Sequence, residues 1–116
     1  MRVLVTGGRD YIDELHVFRV LDALNAAGVD LVIHGAARGA DKLAENWAKA
    51  RSVPFQAYPP DYQKYGSDAP KVRNQRMIDE GKPDVVVAFP GGSGTADMVG
   101  RAVRAGIPVA RERVVG

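Results

Sequence analysis

Glycine, arginine and hydroxyl side chains gather at a few places in this chain, and together they suit an anion. The densest place is Pro90-Gly91-Gly92-Ser93-Gly94-Thr95, which follows the β-branched run Val85-Val86-Val87 and precedes a helical pattern from Ala96. A strand, a glycine turn and a helix start, in that order, turn backbone N–H groups outward and add the partial positive charge of a helix N-terminus. Two further turns have the same character, Gly7-Gly8-Arg9 and Gly35-Ala36-Ala37-Arg38-Gly39. Arginine recurs in Arg73-Asn74-Gln75-Arg76, where a spacing of three puts both guanidiniums on neighbouring positions of one helical face. Their forked donors match phosphate oxygens in pairs. The expected ligand-binding set is therefore Gly7, Gly8, Arg9, Gly35, Arg38, Gly39, Asp41, Arg73, Asn74, Arg76 and residues Pro90 to Thr95, namely Pro90, Gly91, Gly92, Ser93, Gly94 and Thr95. Arg73 and Arg76 are favoured over Arg38 for direct contact.

The glycine turns do not match the common nucleotide fingerprints. No Gly-x-x-x-x-Gly-Lys-Ser/Thr is present, and Gly92-Ser93-Gly94-Thr95-Ala96-Asp97 has Asp where the dinucleotide motif places its third glycine. Asp41 opens a helix, so its first role is a carboxylate favoured by the dipole; accepting from a ribose hydroxyl is the alternative. Asp97 has the same ambiguity and is the best-placed candidate for a general acid or base. His34 ends a strand and either faces the cleft or is a satisfied structural histidine. The two histidines are far apart and cysteine is absent, so neither a metal site nor a thiol nucleophile is expected, and no cofactor is expected. Tyr11, Tyr58, Tyr62 and Tyr65 lie in or beside loops, where packing is the commoner fate and stacking on a base the alternative. Trp47 is expected in the core.

These groups need elements to position them. Residues 2–6 read as a first strand. Leu15, Phe18, Leu21, Ala23 and Leu24 then recur at helical spacing between Glu14 and Ala27. Asp30 to His34 reads as strand two, Ala40 to Arg51 as helix two and Pro54 to Tyr58 as strand three. A long loop from Pro59 to Ala69 leads to helix three, Lys71 to Glu80. Strand four and its glycine turn follow, then helix four, Ala96 to Ala105, and a short edge strand, Ile107 to Ala110, in which Pro108 donates no ladder bond. Strand and helix alternate throughout. This predicts one α/β domain over residues 1–116, with a five-stranded, mainly parallel sheet covered on both faces, in the order 3-2-1-4-5. Such sheets bind ligands where the winding reverses, at the carboxyl ends of the strands. The turns after strands one and four flank that reversal, and the turn after strand two lies beside them.

Composition narrows the function classes. The chain has 116 residues and a net charge of only +2; residues 1–58 carry seven basic and seven acidic side chains, and residues 59–116 carry nine and seven. No basic stripe marks a nucleic-acid surface, so nucleic acid is not favoured as a partner. No run approaches the roughly 18 apolar residues of a membrane span, and the first residues form a strand pattern rather than a signal sequence. A reducing cytoplasm is the simplest setting.

Taken in order, Thr6-Gly7-Gly8-Arg9-Asp10-Tyr11, Gly35-Ala36-Ala37-Arg38-Gly39-Ala40-Asp41, Arg73-Asn74-Gln75-Arg76-Met77-Ile78 and Pro90-Gly91-Gly92-Ser93-Gly94-Thr95 resemble the SLOG superfamily. That group joins the Smf/DprA DNA-processing domain to the Lonely Guy enzymes. The first motif and Phe89 to Met98 look most like its small stand-alone YspA/YAcAr-type members. The resemblance implies a Rossmann-like three-layer sandwich, a small nucleotide-like or phosphoribosyl ligand, a sensor role and a homo-oligomer. It also carries two alternatives: nucleoside monophosphate phosphoribohydrolysis, as in Lonely Guy enzymes, and single-stranded DNA binding, as in Smf/DprA. Lonely Guy enzymes carry a catalytic glutamate where this chain has Met98, which argues against hydrolysis; Asp97 is the adjacent acid.

Overall fold

The computed structural model describes residues 1–113. Its elements run β1 (Arg2–Thr6), α1 (Glu14–Asn25), β2 (Leu31–His34), α2 (Ala40–Ala50), β3 (Phe55–Ala57), α3 (Tyr62–Tyr65), a 3-10 turn over Gly66–Asp68, α4 (Ala69–Asp79), β4 (Val85–Ala88), α5 (Ser93–Arg104) and β5 (Val109–Arg111). The strands form a single sheet in the order β3-β2-β1-β4-β5, and every pairing is parallel. This is the expected order, with the winding reversing between β1 and β4.

Strand alternation builds the core as two layers. Val3 and Val5 of β1 and Val32 of β2 face α1 and α2, where Val17, Leu21, Ala44 and Trp47 complete one apolar cluster. Leu4 and Ile33, from the opposite face of the same strands, pack against Met77 and Ile78 of α4 and Met98 and Ala102 of α5. Central strands buried on both sides have no polar face, which is why β1 and β2 read as continuous apolar runs. Trp47 is fully buried, and its Nε1 donates to Asp22 Oδ1 at 2.8 Å, so the indole's only donor is satisfied. Arg51 joins Asp22 from the other side; its hydrogen bond and that of Trp47 hold the Asp22 carboxyl at about 2.

Most ends differ from the sequence expectation by a residue or two, as where α4 starts at Ala69 and not Lys71, and three differences have a clear physical reason. The long loop is broken by α3, whose N-cap Asp61 accepts from the Lys64 N–H. Helix α5 begins at Ser93, not Ala96, because glycine costs little in a first turn whose N–H groups have no ladder partner. Strand β5 starts after Pro108, whose carbonyl accepts from the Val86 N–H. On α1, Leu15 is 73% exposed and the buried positions are Val17 and Leu21. Among the described residues no helix is long and apolar enough to cross a membrane.

Candidate functional site

The three glycine turns meet because their backbones touch. The Gly8 N–H donates to Pro90 O at 2.9 Å, and the Gly8 carbonyl accepts from the Ala40 N–H at 3.1 Å, so the first turn is stitched to both others. Gly39 has φ of +78°, and a Cβ there would lie 2.2 Å from Gly8 O. Gly91 is equally crowded, since a Cβ would come within 2.7 Å of Gly8 N. Several glycines of the motif therefore serve the contact between turns, which is a demand only glycine meets.

Between the turns lies a cavity of about 460 Å³, lined by Thr6, Gly7, Gly8, Arg9, Gly35, Ala37, Asp41, Pro70, Arg73, Asn74 and the Gly92–Thr95 start of α5, among others. The volume is in the range of roughly 300–1,000 Å³ usual for small-ligand sites. The N-cap of α5, Gly92, has no side chain to cap the helix, and the first backbone bond inside it is Ala96 N–H to Gly92 O. The N–H groups of Ser93, Gly94 and Thr95 thus have no partner among the described residues.

Arg73 reaches the cavity from α4. Its Nη1 donates to the carbonyls of Gly35 and Tyr58, and its Nε donates to Asn74 Oδ1 at 2.9 Å. No carboxylate pairs with it among the described residues, and Nη2 has no partner there. Burial holds its guanidinium below the usual arginine range, with Asp41 pulling the other way. Arg9, from the first turn, also lacks an internal partner among the described residues.

Asp41 faces these cations from the start of α2. It is 6% exposed, and its Oδ2 accepts from the Gly35 N–H at 3.1 Å and the Ala37 N–H at 3.2 Å. Burial pushes its carboxyl up from 3.8 to about 6, against the Ala37 and Gly35 amides and the Arg73 and Arg9 charges. Thus one wall of the cavity offers donors and positive charge, and another offers a buried acceptor.

The profile of the YspA, cpYpsA-related SLOG family matches residues 1–65, more than half of the chain. The chain belongs to that family. It is also 38% identical over 117 residues to the Gene 61 protein of Mycobacterium phage D29, with 93% of each chain covered. Among solved structures it is similar to phosphoribosylglycinamide formyltransferase from Bacillus halodurans, at a TM-score of 0.45 and 17% identity, over 92% of this chain and 66% of that one.

In this SLOG protein, five of the expected binding residues do not line the cavity. Arg76 turns away from it: the guanidinium pairs with Glu80 one turn along α4 and lies 5.7 Å from the centre of the Tyr58 ring. Arg38 is exposed and meets Asp10 at 3.3 Å. Gly39, Pro90 and Gly91 form the contacts behind the cavity wall. Asp97 does not line it either, which corrects the expectation of a poised acid or base. Burial pushes its carboxyl up, but hydrogen bonds from Arg101 and Asn74 outweigh that and hold it below the ordinary carboxylate range. Asp97 is a corner of the α4–α5 packing. His34 is buried beside the site, with Nδ1 accepting from the Ala36 N–H and Nε2 facing Glu45 at 3.1 Å. That assigns the proton to Nε2. Burial lowers the His34 pKa, and the Glu45 carboxylate opposes this.

Sequence reasoning missed Thr6, Ala37 and Pro70 in the cavity wall. Thr6 had a signal, since a hydroxyl ends an apolar strand at the reversal point. It also missed Arg101, readable as the i+4 partner of Asp97.

Proposed function

We propose that this chain binds a nucleotide or another phosphorylated ribose derivative at the carboxyl edge of its sheet. One observation supports this most: three N–H groups at the start of α5 without a partner among the described residues, and Arg73 and Arg9, with no carboxylate paired to either among those residues, border one cavity. Donors aimed into a half-enclosed space strengthen as water leaves, and an anion with several acceptor oxygens uses them all. In this reading Gly92, Ser93, Gly94 and Thr95 cradle the phosphate, Arg73 and Arg9 neutralise it, and Gly7, Gly8 and Gly35 let the rest of the ligand approach the backbone. The hydrolase alternative is less well supported. Met98, at the position of the Lonely Guy glutamate, is fully buried among the α4 and α5 core residues, and Asp97 is held in an ion pair.

Isothermal titration and thermal shift with the four ribonucleoside 5′-monophosphates and ribose 5-phosphate test the reading. At least one should bind, raise the melting temperature and lose most of its affinity in Arg73→Met, while Arg76→Met binds like the native chain. Binding by none of them overturns the proposal. Release of free base, followed chromatographically in the same samples, would replace it with the hydrolase.

A further inference from the structure

We infer that Asp41 is the residue that reads a sugar hydroxyl, so that the site selects a ribose phosphate over its deoxy counterpart. The inference rests on the nucleotide reading above and goes one step further, to the chemistry at the acidic wall.

The carboxylate has two oxygens with different fates. Oδ2 is occupied by the amides of Gly35 and Ala37, which fix the side chain against its own turn. Oδ1 has no hydrogen-bond partner among the described residues, although Asp41 is more than nine-tenths buried and lines the cavity. Oδ1 is not one of the fully enclosed unpartnered atoms, so it opens on the cavity, where a ligand donor takes the place of water. An ionised carboxylate accepts only, so what meets it must carry O–H or N–H. A phosphate oxygen is excluded there, because two negative charges in a half-enclosed space repel.

Position narrows the donor further. A point one Cβ bond above Gly35 lies 2.5 Å from Arg73 Nη1 and 3.1 Å from Asp41 Oδ2. The Arg73 guanidinium and the Asp41 carboxylate therefore flank the same glycine, yet no ion pair joins them among the described residues. A ligand that touches both must carry its hydroxyl only a few bonds from its phosphate. A ribose hydroxyl meets that condition; the exocyclic amine of a base lies at the far end of the nucleotide. With one oxygen free, a single hydroxyl is read.

Whichever ribonucleoside 5′-monophosphate binds best is compared with its 2′-deoxy and 3′-deoxy forms by isothermal titration on the native protein. One of the two should bind at least tenfold more weakly. Asp41→Asn keeps an oxygen for the Gly35 and Ala37 amides but offers the ligand a neutral NH₂ group in place of a charged acceptor, so it should shrink the difference severalfold. Equal binding of all three by the native chain overturns this inference and leaves the nucleotide reading standing. So does discrimination that is undiminished in Asp41→Asn. Failure of every nucleotide to bind overturns both. The comparison on the native chain decides the matter even if the variant does not fold.

Discussion

Asp41→Asn should make the empty protein more stable at neutral pH. The native carboxyl titrates near 6 in the folded state against 3.8 as its ordinary value, mainly because burial disfavours its charge. The sign follows from proton linkage. Between those two values the folded chain holds the proton and the unfolded chain has lost it, so stability falls as pH rises through that window. The loss is complete by about pH 7. At 1.36 kcal/mol for each tenfold change in proton affinity, the ionised carboxylate costs about 3 kcal/mol there. The charged groups facing it are Arg73 of α4 and Arg9 of the first turn, and their attraction together with the Gly35 and Ala37 amides is already part of that balance.

Asparagine resembles the protonated acid and does not titrate. Urea unfolding from pH 3.5 to 8 measures the difference between variant and native chain. That difference should rise by about 3 kcal/mol as pH increases from 3.8 to 7, equivalent to roughly 10 °C in Tm for a chain of this length. Other acids titrate in the same range, among them Asp22, Asp30, Glu45, Glu80 and Asp97, all shifted down. Their contribution is common to both proteins and cancels in the difference. A constant offset between the two curves would refute the reasoning, because it would mean that Asp41 titrates alike in folded and unfolded chains.

Arg73→Met should weaken nucleoside monophosphate binding by roughly 10- to 100-fold, as expected for loss of a charge-assisted contact of about 1.5–3 kcal/mol, while Arg76→Met changes it less than twofold by titration calorimetry. Gly39→Ala should destabilise by roughly 3 kcal/mol or more, read by urea unfolding, because a Cβ at positive φ would also strike the Gly8 carbonyl. Asp97→Asn breaks the pair with Arg101 and should cost about 1 kcal/mol in the same assay without altering nucleotide affinity.

The sheet was legible because it depends on a few strong local signals. Apolar runs at residues 3–5, 31–33 and 85–88 alternate with amphipathic segments, and right-handed crossovers then leave little choice of order. That the glycine turns share one edge follows from the same alternation. Within a turn or helix the sequence is less informative. Arg73 and Arg76 are the same residue type on adjacent positions, yet only Arg73 meets the carbonyls of Gly35 and Tyr58, while Arg76 finds Glu80 one turn on. That i+4 partner is visible in the sequence, and so is Arg101 after Asp97. An acid or base with a partner four residues away on its own helix is the weaker candidate for a site. The burial of Asp41 could not be read, because it depends on α2 and α4 closing over Gly35, which are brought together only by the fold. Leu15 shows the opposite error: helical spacing identifies an apolar stripe but not which stripe meets the sheet.

That no ion pair joins Arg73 and Asp41 among the described residues is itself informative. A side-chain movement that joined the half-buried Arg73 guanidinium and the buried Asp41 carboxylate in an ion pair would relieve both. The fold opposes that movement. Backbone carbonyls of Gly35 and Tyr58 hold Arg73, and backbone amides of Gly35 and Ala37 hold Asp41, so a single glycine turn fixes both charges at once. Gly35 suits that role because a methyl group there would displace the guanidinium. Two opposite charges held apart at a stability cost of about 3 kcal/mol for the acid alone are prepared for a ligand with an acceptor and a donor at matching separation. A ligand that supplied only negative charge would satisfy Arg73 and the α5 amides but would leave the acid's cost in place. The arrangement thus favours a molecule that carries phosphate and hydroxyl only a few bonds apart, and a phosphorylated sugar is such a molecule.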